Sequence, residues 1–137
     1  MAKQYHRLRK GRDIVAVNTN HIALERLSSL DGYIGSCLVD SDSGMVLSQD
    51  GGNSQFNMEI AGASNAEVVK AKRRAAQAIG LKDEIEDILI TLGKQYHLVR
   101  PMRSRPSLFV YLALDRARAN LAMARFALGD AEKAMTI

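Results

Sequence analysis

The sequence is poor in cysteine, which forms the disulfides of small secreted domains, and in aromatic residues, which stack on nucleic-acid bases. Its single cysteine, Cys37, excludes an internal disulfide and is typical of a reducing compartment. It has no tryptophan, and aromatic residues make up only 5% of the chain, so base-stacking platforms have little material. No apolar run approaches the ~18 residues of a membrane helix. We therefore expect a cytoplasmic protein without membrane insertion, and nucleic acid is a disfavoured partner.

Positive charge is concentrated at the N-terminus. The chain has 19 lysines and arginines against 15 acidic residues. Five of the bases lie in the first 12 residues, where there is no acid, so subtracting them leaves 14 basic against 15 acidic residues in the remainder. We predict residues 1–12 as a disordered, solvated basic tail, and the weaker alternative is that this tail binds nucleic acid or an acidic membrane surface. Residues 13–137 are predicted as one folded domain, since 47% hydrophobic content in the chain is enough for a core.

Apolar spacing predicts a helix and then a hairpin in the first half of the chain. The helix is capped within residues 18–20 or starts as early as Asp13, and Asp31-Gly32 ends it. Two short β-prone runs follow, residues 33–39 and 45–48, and the turn-forming residues between them indicate a hairpin.

The second half is predicted to contain a helix, three strands and a last helix. Residues 108–114 are apolar on both faces, as a central strand with helices above and below should be. The last helix is expected between a cap at Asp115 and a stop at Gly129. The other predicted elements are the helix 58–79 and the strands 84–92 and 95–99. The order α-β-β-α-β-β-β-α indicates an α/β (more narrowly α+β) fold: a five-stranded, mainly antiparallel sheet with helices on both faces.

The middle helix has more small and apolar surface than one sheet face can cover. The strand that follows it lacks the proline or central lysine that commonly protects a free edge. We therefore predict a homodimer in which two copies pair these helices and strands about a twofold axis. The predicted interface residues are Val68, Val69, Lys72, Ala75, Ala76, Ile79, Ile85, Ile88 and Ile90.

Motifs for catalysis and for cofactor binding are missing from the sequence. It contains no G-x-x-x-x-G-K-[ST] phosphate loop, no G-x-G-x-x-G fingerprint and no G-x-S-x-G elbow. Its histidines, His6, His21 and His97, are too far apart for a local metal motif, although a site assembled over long range stays open. We expect no enzymatic activity, no cofactor and no metal.

Two basic clusters occur outside the tail, one on the middle helix and one in the loop between the last two strands. The simpler interpretation is solvated charge that keeps an apolar helix soluble. The alternative is an acidic partner surface, and a protein fits better than nucleic acid because no aromatic residues are interleaved with the helical cluster. The candidate partner-binding residues are Lys70, Arg73, Arg74, Arg100, Arg103 and Arg105.

Two segments resemble the roadblock/dynein-light-chain family. Residues 30–40 resemble its first helix end and first strand, and residues 112–116 with 119–125 are similar to the last strand and helix of its bacterial branch. The resemblance spans roughly residues 18–128 and implies a profilin-like roadblock architecture, dimerised through antiparallel middle helices and paired third strands. It also implies a non-catalytic scaffold or regulator, often beside a small Ras-like GTPase. The alternative is a small-molecule sensing domain of profilin- or GAF-like architecture.

Overall fold

The structure, a computed structural model, describes residues 11–136, with side chains from residue 19 onward. Three α-helices lie in this range: α1 (Gly11–Arg26), α2 (Met58–Ala78) and α3 (Leu121–Ala134). Five strands accompany them: β1 (Tyr33–Asp40), β2 (Val46–Gly51), β3 (Ile88–Thr91), β4 (Gln95–Pro101) and β5 (Leu108–Asp115). The predicted element order is confirmed. Across residues 11–136, no helix combines enough length with enough hydropathy to span a bilayer.

All five strands form one sheet of order β2-β1-β5-β4-β3, and every neighbouring pair is antiparallel. The central strand β5 is buried from Leu108 to Leu114, which confirms its predicted apolar cover on both faces. The helix α2 packs on one face, over β1 and β2, whereas α1 and α3 pack against each other on the opposite face. The predicted α/β (α+β) fold with helices on both faces is therefore confirmed.

Alternate side chains of each strand enter two separate hydrophobic clusters, as the pleat of a strand requires. On β5, Phe109 and Tyr111 point to the cluster under α2, whereas Val110 and Leu112 point to the cluster under α1 and α3. Both clusters are dry at their centres, since these four side chains are at most 1% exposed. The sheet thus separates the core into two layers.

The third strand is shorter than predicted. It covers Ile88–Thr91, whereas residues 84–87 of the predicted strand have no regular structure. The β3–β4 register pairs Ile88 with Val99, so a longer ladder would place Glu86 opposite Pro101. Proline has no N–H to donate to a ladder, which stops the pairing at this point. Ile85 consequently lies in the loop before β3 and not on the strand.

Three predicted helix boundaries differ from the structure. The first helix begins at Gly11, so the last two residues of the predicted tail are helical, while residues 1–10 lie outside the described residues. The last helix is capped by Asn120, whose side chain accepts from the Met123 N–H at 3.1 Å, and not by Asp115. Gly129 lies inside this helix and does not end it, because the chain there keeps helical geometry to Ala134.

The C-terminal end of the described chain is bound to α1. Asn20 donates from its side chain to the Thr136 carbonyl at 3.1 Å, and the Thr136 N–H donates to the Asn20 side chain at 2.9 Å. This reciprocal pair holds the residues after α3 against α1. Residue 136 therefore lies on the α1/α3 face of the sheet.

Gly62 allows α2 to approach the sheet closely. A Cβ placed on Gly62 would lie 2.7 Å from the Cys37 Sγ, 3.0 Å from the Val39 Cγ2 and 3.2 Å from the Val46 Cγ2. The first of these distances is shorter than van der Waals contact, and the cysteine is buried within the core. An alanine at this position would push α2 away from β1.

We predict that Gly62→Ala lowers the free energy of unfolding although alanine is the better helix former. Overpacking of a core costs about 1–3 kcal/mol, whereas glycine-to-alanine replacement in a helix gains up to about 1 kcal/mol. Gly129→Ala in α3 is the matched control, because the nearest heavy atom to the added Cβ would be the Arg100 Nη2, at 3.9 Å. Urea unfolding should show Gly62→Ala less stable and Gly129→Ala more stable than the wild type. A Gly62→Ala variant as stable as wild type would contradict the close approach.

Candidate interaction surface on α2 and β3

The inner face of α2 is committed to the chain's own core. Asn57 caps the helix by accepting from the Ile60 N–H at 3.0 Å, and Gly80, at φ +74°, allows the chain to turn away after it. Met58, Ala66 and Val69 are buried beneath the helix. Val69, at 0% exposure, packs on the sheet, so its assignment to the dimer interface is wrong within this fold.

One flank of α2 is turned toward the β4–β3 half of the sheet. The Ala63 carbonyl lies next to Gly44 in the β1–β2 turn, which places that side of the helix over the β2 edge. Successive helical residues are rotated by about 100° around the axis, so residues on the opposite flank can be identified from their spacing. That opposite flank carries Val68, Lys72, Ala75 and Ile79, which are half-buried or exposed. Ile79 is 72% exposed, an unusual position for a large apolar side chain.

The β4–β3 half of the same sheet face has less cover than the β1–β2 half. Ile88 and Ile90 lie opposite Val99 and His97 in the antiparallel register, so all four side chains point to the α2 side. Ile88, Ile90 and His97 remain half-buried. Among residues 11–136, β3 has β4 as its one strand neighbour, so its outer edge is free. We call the exposed flank of α2, with Ile88, Ile90 and the free β3 edge, the α2–β3 surface.

The two remaining predicted interface residues, Ala76 and Ile85, lie beside the α2–β3 surface and not in it. Ala76 is half-buried and lies near the C-terminal end of α2, beside a surface groove of about 330 Å³. Ile85 lines the same groove together with Leu81 and Arg103. The structure thus brings Val68, Lys72, Ala75, Ile79, Ile88 and Ile90 to one side of the molecule and places Ile85 in a neighbouring loop.

A hydrogen-bonded histidine lies at the border between this surface and the core. The His97 Nε2 is 2.7 Å from the Gln95 Oε1, and its Nδ1 is 3.1 Å from the Tyr111 hydroxyl. Since the Gln95 oxygen can only accept, His97 donates from Nε2 and accepts the Tyr111 O–H at Nδ1. Phe56 and Tyr111 both meet the imidazole edge-on, at centroid distances of 5.9 and 5.3 Å. Burial lowers the pKa of His97, which favours the neutral ring.

The sequence offered little sign of this arrangement. His97 was interpretable only as a strand residue that faces solvent or bonds near the sheet edge, and Phe56 had no assigned role. Apart from the local bond to Gln95, the contacts join residues 14 or more positions apart, as between His97 and Tyr111. Strand alternation could have placed His97 and Tyr111 on one face, because both lie an even number of residues from other α2-facing positions.

Cys37 is a structural core residue. Its side chain is fully buried, and the thiol lies 3.8 Å from the Met58 carbonyl, to which it can donate. Burial raises the pKa of Cys37 to about 12, so the thiol stays protonated. A protonated, inaccessible thiol is a poor nucleophile, so Cys37 acts as a small core residue.

Arg100 serves the fold and not the surface. Its Nε donates to the Glu132 Oε1 at 2.9 Å, and both side chains are 11% exposed. The second oxygen of Glu132 accepts from the Arg103 N–H at 2.7 Å, so one carboxylate holds both β4 and the following loop against α3. Removing one partner of a buried ion pair typically costs about 3–5 kcal/mol. Arg100 is therefore not free to bind a partner.

The remaining candidate bases differ in their availability. Arg73 donates to the Pro106 carbonyl and to the Ser41 hydroxyl, which ties α2 to the loop that carries Arg105. Two ion pairs are weaker and solvent-exposed: Lys70 with Glu67 at 3.4 Å and Arg103 with Glu86 at 3.7 Å. Arg74 and Arg105 are exposed and make no ion pair among the described residues. The two predicted clusters thus meet through Arg73.

Several solved structures share this architecture. Myxococcus xanthus MglB matches with a TM-score of 0.74 at 19% sequence identity, over 85% of this chain and 84% of that chain. A Roadblock/LC7 domain from Streptomyces avermitilis matches with a TM-score of 0.72 at 14% identity, over 82% and 91%. The chain has the roadblock fold. Gliding protein MglB from Thermus thermophilus also matches, with a TM-score of 0.72 at 15% identity, over 88% and 87%.

The roadblock fold confirms the architecture that the sequence motifs implied. No protein-family model and no curated protein matches the chain. Identities of 14–19% therefore leave the likeness at the level of the fold. The segments that carried the resemblance, residues 30–40 and 112–125, form β1, the end of β5 and the start of α3.

We predict that His97 makes stability dependent on pH. Its pKa in the folded state lies below the ordinary value of 6.5, so the unfolded chain binds the proton more readily. The contribution of neutral His97 to the free energy of unfolding is complete above a pH of about 6.5 and is lost as the pH falls below that value. Urea unfolding at pH 7.5 and pH 5 should therefore show a larger loss for the wild type than for His97→Gln. Parallel pH profiles of the two proteins would refute this assignment.

Proposed function

We propose that this protein is a non-catalytic homodimeric scaffold or regulator that binds protein partners in the cytoplasm, with a small Ras-like GTPase as the expected partner. The observation that carries the proposal is the α2–β3 surface. It combines an apolar helix flank, a half-covered sheet face and a free strand edge on one side of a small domain. A monomer with such a surface would expose both apolar side chains and unpaired backbone groups.

A second copy related by a twofold axis would cover all three features together. Antiparallel α2 helices would bring Val68 and Ala75 near their counterparts, where small side chains permit close approach. Pairing of β3 with its copy would satisfy the backbone groups of both free edges. One solved MglB structure of this fold is described as having a tetrameric arrangement, so self-association occurs on such a scaffold.

The GTPase partner is supported by the family resemblance and by available positive charge. The chain has no phosphate loop of its own, so a nucleotide would be carried by the partner. Arg74 and Arg105 are exposed and unpaired among the described residues, and they flank the contact that Arg73 makes with Pro106. An acidic protein surface could pair with both side chains. Such rim charges chiefly accelerate association and contribute little affinity each.

We predict that Ala75→Glu dissociates the dimer whereas Ala78→Glu does not. Both alanines are exposed in α2, but Ala75 lies on the flank toward β3 and Ala78 points away from the sheet. An unpaired carboxylate in an apolar interface costs several kcal/mol. Analytical ultracentrifugation at micromolar concentration should give twice the 15.0 kDa chain mass for the wild type and Ala78→Glu. Ala75→Glu should give the mass of one chain or should misfold.

Two results would count against the dimer. A wild-type protein that sediments as a stable monomer would overturn it and would favour the alternative of a small-molecule sensing domain. Equal behaviour of the two glutamate variants would show that the α2 flank is not the interface. Because both variants make the same alanine-to-glutamate change in helix propensity, circular dichroism of the pair separates misfolding from dissociation.

We predict that binding of a small Ras-like GTPase is weakened by Arg74→Ala and by Arg105→Ala. Arg118→Ala is the control, because Arg118 is also exposed but lies in the β5–α3 loop. Each loss should be about 0.2–1 kcal/mol and should shrink as salt is added, as expected for exposed ion pairs. Biolayer interferometry with the GTPase loaded with GDP or with a non-hydrolysable GTP analogue measures this. Equal losses for all three variants, or no binding of either nucleotide form, would contradict the proposed partner.

A further inference from the structure

A mixed group of metal-ligating side chains lies on the face opposite α2, between α1 and the β2 edge. His21 and Glu25 are one helical turn apart on α1, and the His21 Nδ1 is 3.1 Å from the Glu25 Oε1. Asp50 of β2 completes the group. One ligand atom from each of the three residues lies within 4.8 Å of the other two. The three residues come from two elements, so the fold itself assembles the cluster.

The cluster lacks a permanent cation of its own. Glu25 and Asp50 bring two carboxylates together, and no lysine or arginine of the described chain forms an ion pair with either of them. The third member of the group is the imidazole of His21, whose nitrogen is a good metal ligand. Two facing carboxylates repel each other unless a cation lies between them. The charge balance of the group therefore favours a bound positive ion.

Asp50 is held in position from behind. The Tyr33 hydroxyl donates to the Asp50 Oδ2 at 2.7 Å and is 2.8 Å from the Ser36 hydroxyl, which is fully buried. Hydrogen bonds of this kind orient a ligating carboxylate and leave its other oxygen free to bind. The other oxygen, Oδ1, makes no hydrogen bond within the described chain.

We propose that His21, Glu25 and Asp50 bind one divalent transition-metal ion of the zinc type. Imidazole and carboxylate suit Zn²⁺ and Co²⁺, whereas Mg²⁺ and Ca²⁺ prefer ligand sets made of oxygen alone. Ligand atoms about 2.0–2.2 Å from a Zn²⁺ lie roughly 3–3.6 Å apart. The His21–Glu25 distance already fits, and the exposed Glu25 side chain can rotate toward Asp50. Water would complete the coordination.

The bound ion would cross-link α1 to β2, an edge strand of the sheet. In the described chain α1 contacts β2 and β1, and Asp50 belongs to β2, an edge strand of the sheet. An ion shared by both elements stabilises the folded state in proportion to its occupancy. The site is on the other face and the other edge of the sheet from the α2–β3 surface. Metal binding is therefore independent of the proposed dimer.

The test uses the full chain, freed of metal with EDTA and then desalted. Isothermal titration with ZnCl2 should show one ion per chain, and CoCl2 should give the visible d–d absorption of a protein-bound ion. MgCl2 at the same concentration should give no comparable heat. Zinc should also raise the melting temperature of the wild type.

Asp50→Asn and Glu25→Gln each remove one charged ligand while the residue keeps its size, and the amide oxygen introduced at position 50 can still accept from Tyr33. Both variants should bind zinc at least tenfold more weakly and lose the melting-temperature rise. His6→Gln and His97→Gln are controls for the other two histidines and should bind as the wild type does. Unchanged binding in both ligand variants would overturn the proposal. So would the absence of saturable binding up to about 1 mM zinc, because such a site would stay empty at lower metal concentrations.

Discussion

Burial of β5 on both faces is the constraint on which the rest of the structure depends. A strand with seven consecutive buried residues, from Leu108 to Leu114, must have helices above and below it. One face receives α1 and α3 together, and the other receives α2 alone. A single helix cannot cover five strands, so α2 covers the β1–β2 half. The incomplete cover of β4 and β3 follows directly from this division.

Long-range polar contacts hold the loops in place around that sheet. Glu132 of α3 binds both Arg100 and the backbone of Arg103, which fixes the exit from β4. Arg73 of α2 binds the Pro106 carbonyl near the entrance to β5, so the same loop is held from both faces of the sheet. Arg125 binds Asp87 at 3.1 Å and anchors the segment before β3. The basic residues of the two clusters thus divide into those that stabilise the fold and those that remain available.

Sequence reasoning succeeded where the information is local. The two-sided apolar run of β5, the hairpin of β1 and β2 and the bounds of α2 each depend on periodicity or turn residues within a short window. It failed where a residue distant in the sequence determines the length of a strand or the exposure of a side chain. Pro101 shortens β3 from the neighbouring strand, and Glu132 removes Arg100 from the surface across 32 positions. Val69 was assigned to the interface because the sequence alone does not show which of the small and apolar residues of α2 face the sheet. For the same reason, the separate segments that hold His21 and Asp50 gave no local motif.

The pairing of Asn20 with Thr136 determines which face of the domain points away from a support when the domain is attached through its C-terminal end. Because residue 136 is held on the α1/α3 face, any tag, linker or surface anchor that continues from it emerges on that side. The α2 side then points outward, away from the attachment. A molecule immobilised in this orientation would leave its helix flank and open strand edge accessible to a second molecule.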